Sequence, residues 1–452
     1  MTTSRWLLAI ITVAILLRVG VAVYLGDTTP PGKDETSYAV LAERLATGHG
    51  YSFPVAWYPF AEAGAPTSHW SFLFTGIVAA VFAAVGAHPL VWRLLQAVIC
   101  GLLMPWLTYR LTRRVFPRSE RQRALPLVAA LLAAIYAYFV LYGAMVQTEA
   151  FFICVVLWSL ERSLSLDASV ADPERPRLVW PALVMGLSLG AATLLRQSIL
   201  PWVPVLFLWL LFTGWRARRL SGALTAVVLA AVVLVLCIAP FTLRNLRVYG
   251  DFLLLNSNSG YAMYSAQHPM HGTHFQSYAA APLPADLVGK GLNEAQWDRA
   301  LMQRGIGFVL AEPTRYLLLS LSRVADYFEF WPTADSSLLF NVGRLVSYTL
   351  LLPFMLLGVY KAWKYRKDGS NDRRFLLLPD PVVLSLLFVA FYSVLHIFTW
   401  AMTRYRLPVD AVLLPYAALG LMAAEQFIAR IAGHEQHVDS SGASLPEAEI
   451  SG

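Results

Sequence analysis

Long apolar runs, each close to the length needed to cross a bilayer, are the feature that most constrains the fold of this chain. A helix needs about 20 residues to span about 30 Å of hydrocarbon. Hydrophobic residues make up 57% of the sequence and charged residues only 14%, a balance outside the range of soluble domains. We therefore predict an all-α polytopic membrane protein. The runs lie near residues 6–25, 71–86, 90–110, 124–143, 150–166, 180–195, 199–215, 222–241, 338–360, 381–401 and 408–429.

Three clusters of Arg and Lys predict the orientation of these segments. They fall within 110–123, 216–219 and 361–374, and basic flanks favour the cytoplasmic side. All three can be cytoplasmic only if one early run does not cross, and we predict that the short run 71–86 lies on the membrane surface. The net charge of +7 is explained by this inner-surface anchoring, and a nucleic-acid partner is not expected.

The stretch 180–215 is too long for one crossing, so it should form a hairpin that turns at Arg196, Gln197 and Ser198. About ten transmembrane helices then remain, with amphipathic surface helices in the first external loop. We predict an N-terminal transmembrane catalytic module (1–241, with external loop 26–89), a small external segment (242–337), C-terminal transmembrane helices (338–430) and a disordered cytoplasmic tail (431–452).

Two adjacent carboxylates open the first external loop. Asp34 and Glu35 precede Tyr38 and further apolar residues at helical spacing, so an amphipathic helix should begin at this pair and end near Gly48. Asp34 could simply cap the free amides of that helix. Glu35 is not explained by capping.

Charged residues at other predicted span ends lie on the same external side. Glu149 could be an ordinary interfacial carboxylate, and the arginines could contact lipid headgroups, but ionisable groups at membrane depth more often mark function. Guanidinium groups offer a planar, always charged donor fork that suits a phosphate. Together they predict a cavity that handles an anionic lipid headgroup. The arginines are Arg196, Arg244, Arg404 and Arg406.

Three histidines in the external segment have a spacing of three. His268, His271 and His274 lie in a predicted loop without Cys or a paired acid nearby. They are weak candidates for zinc, and a solvated or acceptor-facing loop is the alternative. A divalent metal is possible, but no cofactor is firmly predicted, and the role of 265–337 stays open.

The order of these motifs resembles the C-type-fold membrane glycosyltransferases, in the family of protein O-mannosyltransferases and lipid A aminoarabinose transferases (glycosyltransferase family 39-like). No single motif is specific, and the resemblance rests on their order and on the topology. The motifs are Arg18, the pair Asp34 and Glu35 with Tyr38, "GHGYS" (48–52), "APTSHW" (65–70), "RLLQAVICGLLMPWLTYRLTRRVF" (93–116), "QTEAFF" (147–152), "LLRQSILPWVPVL" (194–206), "PFTLRNLRVYGDFLLLNSNSGYAMY" (240–264) and "RYRLP" (404–408).

The resemblance implies a GT-C-like bundle and an enzyme that takes a sugar from a polyprenyl-phosphate donor, with inversion, on the outer face. A carboxylate would take the proton of the acceptor hydroxyl while cations stabilise the departing phosphate. It implies catalytic roles for Asp34, Glu35 and Glu149 and substrate-binding roles for Tyr38, His69 and Tyr261. The donor phosphate would be bound from among Lys33, Arg196, Arg244, Arg404 and Arg406.

The sequence departs from the aminoarabinose branch of that family at one motif. The branch carries Glu-Lys-Pro before its surface helix, whereas this chain reads "GAPTSHWSF" at 64–72. A lysine contact to the donor phosphate is therefore missing, and Lys33, His69 or an arginine would have to replace it. The sugar and the acceptor of that branch cannot be carried over.

Two other functions remain open from the sequence. A transporter or flippase of lipid-linked saccharides would also need arginines and membrane-embedded acids, although the inverted repeats usual in transporters are not visible. A catalytically inactive scaffold is the third possibility. For the enzyme, the acceptor would be a lipid, glycan or protein, and the expected location is a bacterial inner membrane with the site facing the periplasm.

Overall fold

The computed structural model describes residues 3–30, 34–117, 124–172, 178–276, 279–334, 336–368 and 380–441. Within these residues the chain is helical, with two isolated β-bridges in the first external loop, and no sheet forms. The all-α prediction is confirmed. The helices are α1 (Thr3–Leu25), α2 (Asp34–Ala46), α3 (Phe72–Val85), α4 (Pro89–Val115), α5 (Leu125–Ile135), α6 (Ala137–Tyr142), α7 (Glu149–Ala171), α8 (Val179–Leu195), α9 (Trp202–Arg216), α10 (Leu220–Tyr249), α11 (Ser259–Gln267), α12 (Glu294–Ala311), α13 (Pro313–Tyr327), α14 (Leu338–Arg344), α15 (Leu350–Asp368), α16 (Pro381–Phe398) and α17 (Thr403–Ser441).

Seven helical stretches in the described part of the chain are long and apolar enough to cross a membrane. The predicted count of about ten also includes α7, α8, and α5 with α6, which do not meet that length or composition on their own, so their crossing stays a prediction. The seven stretches are Thr3–Leu25, Pro89–Val115, Gln197–Arg216, Leu220–Tyr249, Leu338–Arg366, Pro381–Phe398 and Thr403–Ile428.

The predicted surface segment 71–86 is the helix α3. At 14 residues it is about 21 Å long, too short for the hydrocarbon core. Ser71 caps its start by accepting a hydrogen bond from the amide of Phe74 at 3.4 Å. The helix packs on α2 and α8, so it supports the first external loop. Its position relative to a bilayer stays a prediction.

The predicted hairpin within 180–215 is confirmed. Helix α8 ends at Leu195, a short turn covers Gln197–Ile199, and α9 begins at Trp202. Arg196 therefore lies in a tight turn between two apolar helices. Prolines before and inside the first turn of α9 fit a helix start, where no amide partner is lost.

The predicted run 124–143 is divided in two at Tyr136. The buried side chain of Arg18, on α1, donates to the carbonyl oxygens of Ala133 at 3.2 Å and Ala134 at 3.0 Å. These carbonyls belong to the last turn of α5, where intrahelical partners end. A buried guanidinium thus takes the place of the missing amides and allows the helix to stop inside the bundle.

The last helix, α17, continues to Ser441 and so extends into the region predicted as a tail. Residues 442–452 lie outside the described residues, and the disorder of the tail stays a prediction. The basic residues Arg118, Arg121, Arg123, Arg373 and Arg374 also lie outside them. The three clusters are described only in part, and the orientation of the chain stays a prediction.

Helices α15 and α17 approach each other through a reciprocal pair of glycines. A methyl group on Gly358 would collide with the backbone of Tyr416, and one on Gly420 would collide with the backbone of Phe354. Small residues allow membrane helices to approach this closely.

We expect Gly420→Ala to destabilise the protein by about 1–3 kcal/mol, the usual cost of overpacking. Thermal unfolding in detergent, followed by exposure of buried cysteines to a thiol dye, measures the effect. Gly76→Ala is the matched control because no atom lies within 4 Å of a methyl group there. Equal melting temperatures for the two variants would contradict close packing at Gly420.

Candidate active site

One cavity of about 990 Å³ collects charged residues from distant parts of the sequence. Its polar wall comes from the start of α2, the turn between α8 and α9, and the start of α17. Its apolar part comes mainly from the segment after α10 and the end of α16, and α11 and α12 add a wall of mixed polarity. Asp34, Arg196 and Arg404 lie on the polar wall, Leu253 and Trp400 lie in the apolar part, and Met263 lies on the mixed wall.

Asp34 is held by two donors. Arg404 Nη1 lies 2.5 Å from Asp34 Oδ2, and the hydroxyl of Tyr58 donates to Asp34 Oδ1 at 3.0 Å. Burial alone would raise the pKa of Asp34, but the charge of Arg404 and these hydrogen bonds outweigh it, and the pKa falls below its usual value. Asp34 is therefore ionised at neutral pH. Sequence reasoning missed Tyr58, although it lies in an aromatic-rich loop.

Glu149 and Arg196 extend the pair into a row of alternating charges. Arg196 Nη2 lies 2.5 Å from Glu149 Oε1, and Arg404 Nη1 lies 3.8 Å from the same oxygen. Arg196 also donates to Thr148 at 3.0 Å and stacks on the ring of Tyr405. The row runs Asp34, Arg404, Glu149, Arg196. Two cations therefore stand next to each other in the cavity wall, each balanced by a carboxylate.

Glu35, predicted to be catalytic, does not line the cavity. It is buried and accepts hydrogen bonds from Arg93 Nη2 at 2.8 Å and from the amide of Val146 at 2.9 Å. Neighbouring residues of a helix are about 100° apart, so Asp34 and Glu35 face different surroundings. Burial raises the pKa of Glu35. These contacts favour a role for Glu35 in holding α2 in place, and the catalytic role stays a prediction.

Arg93, which sequence reasoning missed as a functional residue, is the centre of that attachment. Its guanidinium also donates to the carbonyl oxygens of Gly26 at 3.2 Å and Thr28 at 3.0 Å. One buried cation thus joins the end of α1, the start of α2 and, through Glu35, the loop that leads to Glu149. An arginine near the first turn of an apolar helix was the signal in the sequence.

The predicted substrate-binding residues Tyr38, His69 and Tyr261 all line the cavity. Tyr38 packs edge-on against Trp70, with ring centroids 5.3 Å apart. Burial lowers the pKa of His69 to about 4, so this ring is neutral at physiological pH. Its Nδ1 is buried without a hydrogen-bond partner in the described structure, and its predicted role in substrate binding stays a prediction.

Two of the predicted phosphate ligands lie outside the cavity lining. Arg244 donates to Ser68 Oγ at 2.6 Å and stacks among aromatic rings. Arg406 is fully buried, lies 3.0 Å from Asp410 Oδ1 and donates to the carbonyl oxygen of Tyr327. Residues 404 and 406 lie in the first turns of α17 rather than in a turn between helices, so their side chains diverge. Lys33 lies outside the described residues.

The three histidines of the external segment do not converge. His268 Nδ1 accepts from the amide of Met270, and His271 Nε2 donates to the carbonyl oxygen of Ser265 at 2.9 Å. His274 contacts Thr273. Among the described residues, no group of three His, Cys, Asp or Glu side chains could hold a metal ion. The weak zinc prediction therefore receives no support.

Part of the external segment forms a wall of the cavity, which sequence reasoning left open. Helix α12 contributes Asp298 and Met302 to the lining. Asp298 accepts from the amide of Gly260 at 2.6 Å, and buried Glu294 accepts from the amide of Ser68 at 2.7 Å. These bonds attach α12 to α11 and to the first external loop. The cavity is thus closed on one side by residues outside the spanning helices.

Comparison with known proteins identifies similarity at two levels. Residues 70–243 match the model of the dolichyl-phosphate-mannose-protein mannosyltransferase family. This region includes Glu149 and Arg196 but neither Asp34 nor Arg404. No curated protein matches the sequence.

The similar solved structures cover nearly the whole chain at low identity. The oligosaccharyltransferase AglB of Archaeoglobus fulgidus, in complex with an inhibitory peptide and a dolichol-phosphate, has a TM-score of 0.58 and 16% identity over 98% of this chain and 53% of its own. Its apo form gives 0.58 and 17% over the same shares. ArnT of Cupriavidus metallidurans, bound to undecaprenyl phosphate, gives 0.39 and 13% over 99% of this chain and 82% of its own.

The chain spans about half the length of AglB, so the similarity establishes architecture and not activity. The helical bundle agrees with the fold predicted from the sequence. This protein is an integral membrane protein with the C-type fold of membrane glycosyltransferases, and its residues 70–243 are similar to the dolichyl-phosphate-mannose-protein mannosyltransferases.

Proposed function

We propose that this protein is an inverting glycosyltransferase that moves a sugar from a polyprenyl-phosphate donor to a hydroxyl acceptor on the outer face of a membrane. The row of Asp34, Arg404, Glu149 and Arg196 is the observation on which the proposal depends. Asp34, Arg404 and Arg196 line the cavity, and Glu149 is buried next to the two arginines. It offers a carboxylate for proton transfer next to cations for a phosphate. A transferase that uses a lipid-linked donor needs both.

The proposed reaction is a single displacement at the anomeric carbon of the donor sugar. The acceptor oxygen attacks the anomeric carbon, its proton passes to Asp34, and the bond from that carbon to the phosphate oxygen breaks. The bonding electrons leave with the phosphate, whose charge Arg404 and Arg196 stabilise. One displacement at one carbon inverts its configuration. Glu149 balances the two arginines before the donor arrives.

A phosphate at Arg404 would also affect the base. In the present structure Arg404 pairs with Asp34 at 2.5 Å, which lowers the basicity of the carboxylate. A phosphate that competes for this guanidinium weakens the pair and lets the pKa of Asp34 rise towards its ordinary value. The base is therefore strongest when the donor is in place, which limits idle proton transfer.

The lipid part of the donor fits the apolar part of the cavity. Phe252 and Leu254 line the cavity and are themselves exposed at its rim, so a hydrocarbon chain could leave the polar wall through this side. The matched family is that of dolichyl-phosphate-mannose-protein mannosyltransferases, and the AglB complex contains a dolichol-phosphate. Both support a polyprenyl phosphate as the carrier of the donor sugar.

The competing function is transport of a lipid-linked saccharide, because a polar cavity among spanning helices also suits a translocated headgroup. The two functions differ in their products. A transferase releases polyprenyl phosphate, whereas a flippase returns the donor intact in the other leaflet. We place the protein in a bacterial inner membrane with the cavity facing the periplasm, and both statements belong to the proposal.

A reconstitution experiment tests the function. Purified protein in proteoliposomes is given polyprenyl-phosphate hexoses with a radiolabelled sugar, together with membrane extract as the acceptor source. Release of polyprenyl phosphate, measured by mass spectrometry, with the label moved to a new product is expected. Intact donor that changes leaflet without release would instead establish transport, and neither change across a panel of hexose donors would contradict both functions.

A further inference from the structure

Helix α13 has the opposite polarity to a surface helix of a soluble protein. Its polar residues Ser320, Arg323 and Tyr327 are buried in the protein, with Arg323 fully inaccessible. Its exposed large apolar residues are Leu317 at 50%, Leu318 at 46%, Leu321 at 58% and Val324 at 38%. In water such a helix would leave its apolar stripe unburied, which soluble proteins avoid on this scale.

The buried polar side of α13 is hydrogen-bonded to the neighbouring elements through Arg323, and the half-buried Tyr316 adds a further bond. Arg323 Nη1 donates to the carbonyl oxygen of Ile397 at 3.4 Å, and Nη2 donates to Gln267 Oε1 at 3.0 Å. Tyr316 donates to the carbonyl oxygen of Phe398 at 3.0 Å. These hydrogen bonds determine which face of α13 points away from the protein. If the helix rotated to bury its leucines, the hydrogen bonds of Arg323 and Tyr316 would be lost.

The chain that follows α13 carries further exposed apolar residues into a candidate membrane span. Phe330 and Trp331 follow α13 and are both exposed, as aromatic residues at a membrane boundary are. Leu338 and Leu339 come next, and they begin the membrane-spanning stretch Leu338–Arg366. The leucines of α13 are about as exposed as Leu236 on the spanning helix α10, at 66%. The exposed face of α13 therefore resembles the exposed face of a spanning helix, for which the solvent is lipid.

We propose that α13 lies along the surface of the lipid leaflet on the cavity side, with Leu317, Leu321 and Val324 inserted into the hydrocarbon boundary. The occupant of this apolar face is lipid. A crossing orientation is excluded by length, since 15 residues span only about 22 Å.

The position of α13 at the leaflet surface affects how a reactant enters the cavity. The residues that α13 holds, Ile397 and Phe398, lead directly to Thr399 and Trp400, which line the cavity. The wall of the cavity at Trp400 therefore lies at the level of the leaflet surface. A reactant that resides in the membrane could reach the polar row without passing through water.

Spin labelling tests the proposal without any assay of transfer. Single cysteines replace Leu317, Leu321 and Val324 in a Cys237→Ala background, where Cys100 and Cys154 are buried and should not react. Lys290→Cys is the water-exposed control and Leu236→Cys the lipid-core control. In proteoliposomes the nitroxide labels are measured for collisions with oxygen and with a water-soluble nickel complex.

We expect all three α13 labels to collide more with oxygen than with nickel, in contrast to the Lys290 label. Their depths should agree closely and be shallower than that of the Leu236 label, because a helix parallel to the surface keeps one depth. Nickel accessibility equal to that at Lys290 would overturn the proposal, as would low accessibility to both reagents, which indicates a protein partner. A depth difference near 10 Å between positions 317 and 324 would indicate a crossing helix and would also overturn it.

Discussion

Replacing Asp34 by asparagine should lower the rate of sugar transfer by about 10²–10⁴, the usual contribution of a general base. Asparagine keeps the size of the side chain and can still accept the hydrogen bond from Tyr58, but it cannot take a proton. Donor affinity should not fall, because Arg404 loses an anion that competes with the phosphate. Single-turnover transfer from a synthetic polyprenyl-phosphate sugar separates the chemical step from binding.

Two comparison variants make this result specific. Asp286→Asn removes an exposed carboxylate outside the cavity lining and should leave transfer unchanged. Glu35→Gln should act through stability, because it weakens the buried attachment to Arg93. If Asp34 only capped a helix, Asp34→Asn would transfer sugar at nearly the normal rate, and that outcome would remove the proposed mechanism.

The lengths of the apolar runs and the charges at their ends predicted most of the helices, because each is a property of one segment of the sequence. The hairpin at Arg196 follows from a run too long for one crossing, and α3 was recognised because it is too short and lacks charged ends. The division at Tyr136 could not be found in this way. It depends on Arg18, more than a hundred residues away, whose guanidinium contacts the end of α5.

The sequence could bring together those site residues whose position depends only on where a helix begins or ends. Asp34, Glu149, Arg196 and Arg404 meet because each lies at the start of a helix or in a turn on one side of the bundle. Arg406 lies outside the cavity lining because "TRYRLP" begins α17 and is not a turn, and residues two apart on a helix point to nearly opposite sides. Arg244 also lies outside the lining, because it donates to Ser68, and this contact depends on tertiary packing that the sequence does not reveal.

The polarity of α13 could not be assigned from sequence. A stripe of leucines opposite a stripe of polar residues is expected to face the protein in water and the lipid at a membrane surface. The hydrophobic pattern is the same in both cases. Only the contacts of Arg323 and Tyr316 with the end of α16 decide which side is outward.

Replacing Arg404 by glutamine should weaken donor binding by about 2 kcal/mol or more, which is about 30-fold, as expected when a charged hydrogen bond to a phosphate is lost. Arg196→Gln should act in the same direction. Arg244→Gln is the comparison variant, because Arg244 lies outside the cavity lining and donates to Ser68, so its donor affinity should stay close to normal. Equilibrium binding of a fluorescent polyprenyl phosphate measures all three, and unchanged affinity for both Arg404→Gln and Arg196→Gln would exclude the phosphate site.

The same Arg404→Gln variant should also change the pH dependence of transfer. A base works when deprotonated, so the rate falls as pH drops through the pKa of Asp34. Burial raises that pKa while Arg404 and Tyr58 lower it, and at present the lowering effects are larger. Without the guanidinium, burial dominates, the pKa rises, and the acid limb of kcat/KM should move to higher pH. An acid limb that stays in place would show that Asp34 is not the group whose ionisation controls the rate, even if Arg404 binds the phosphate.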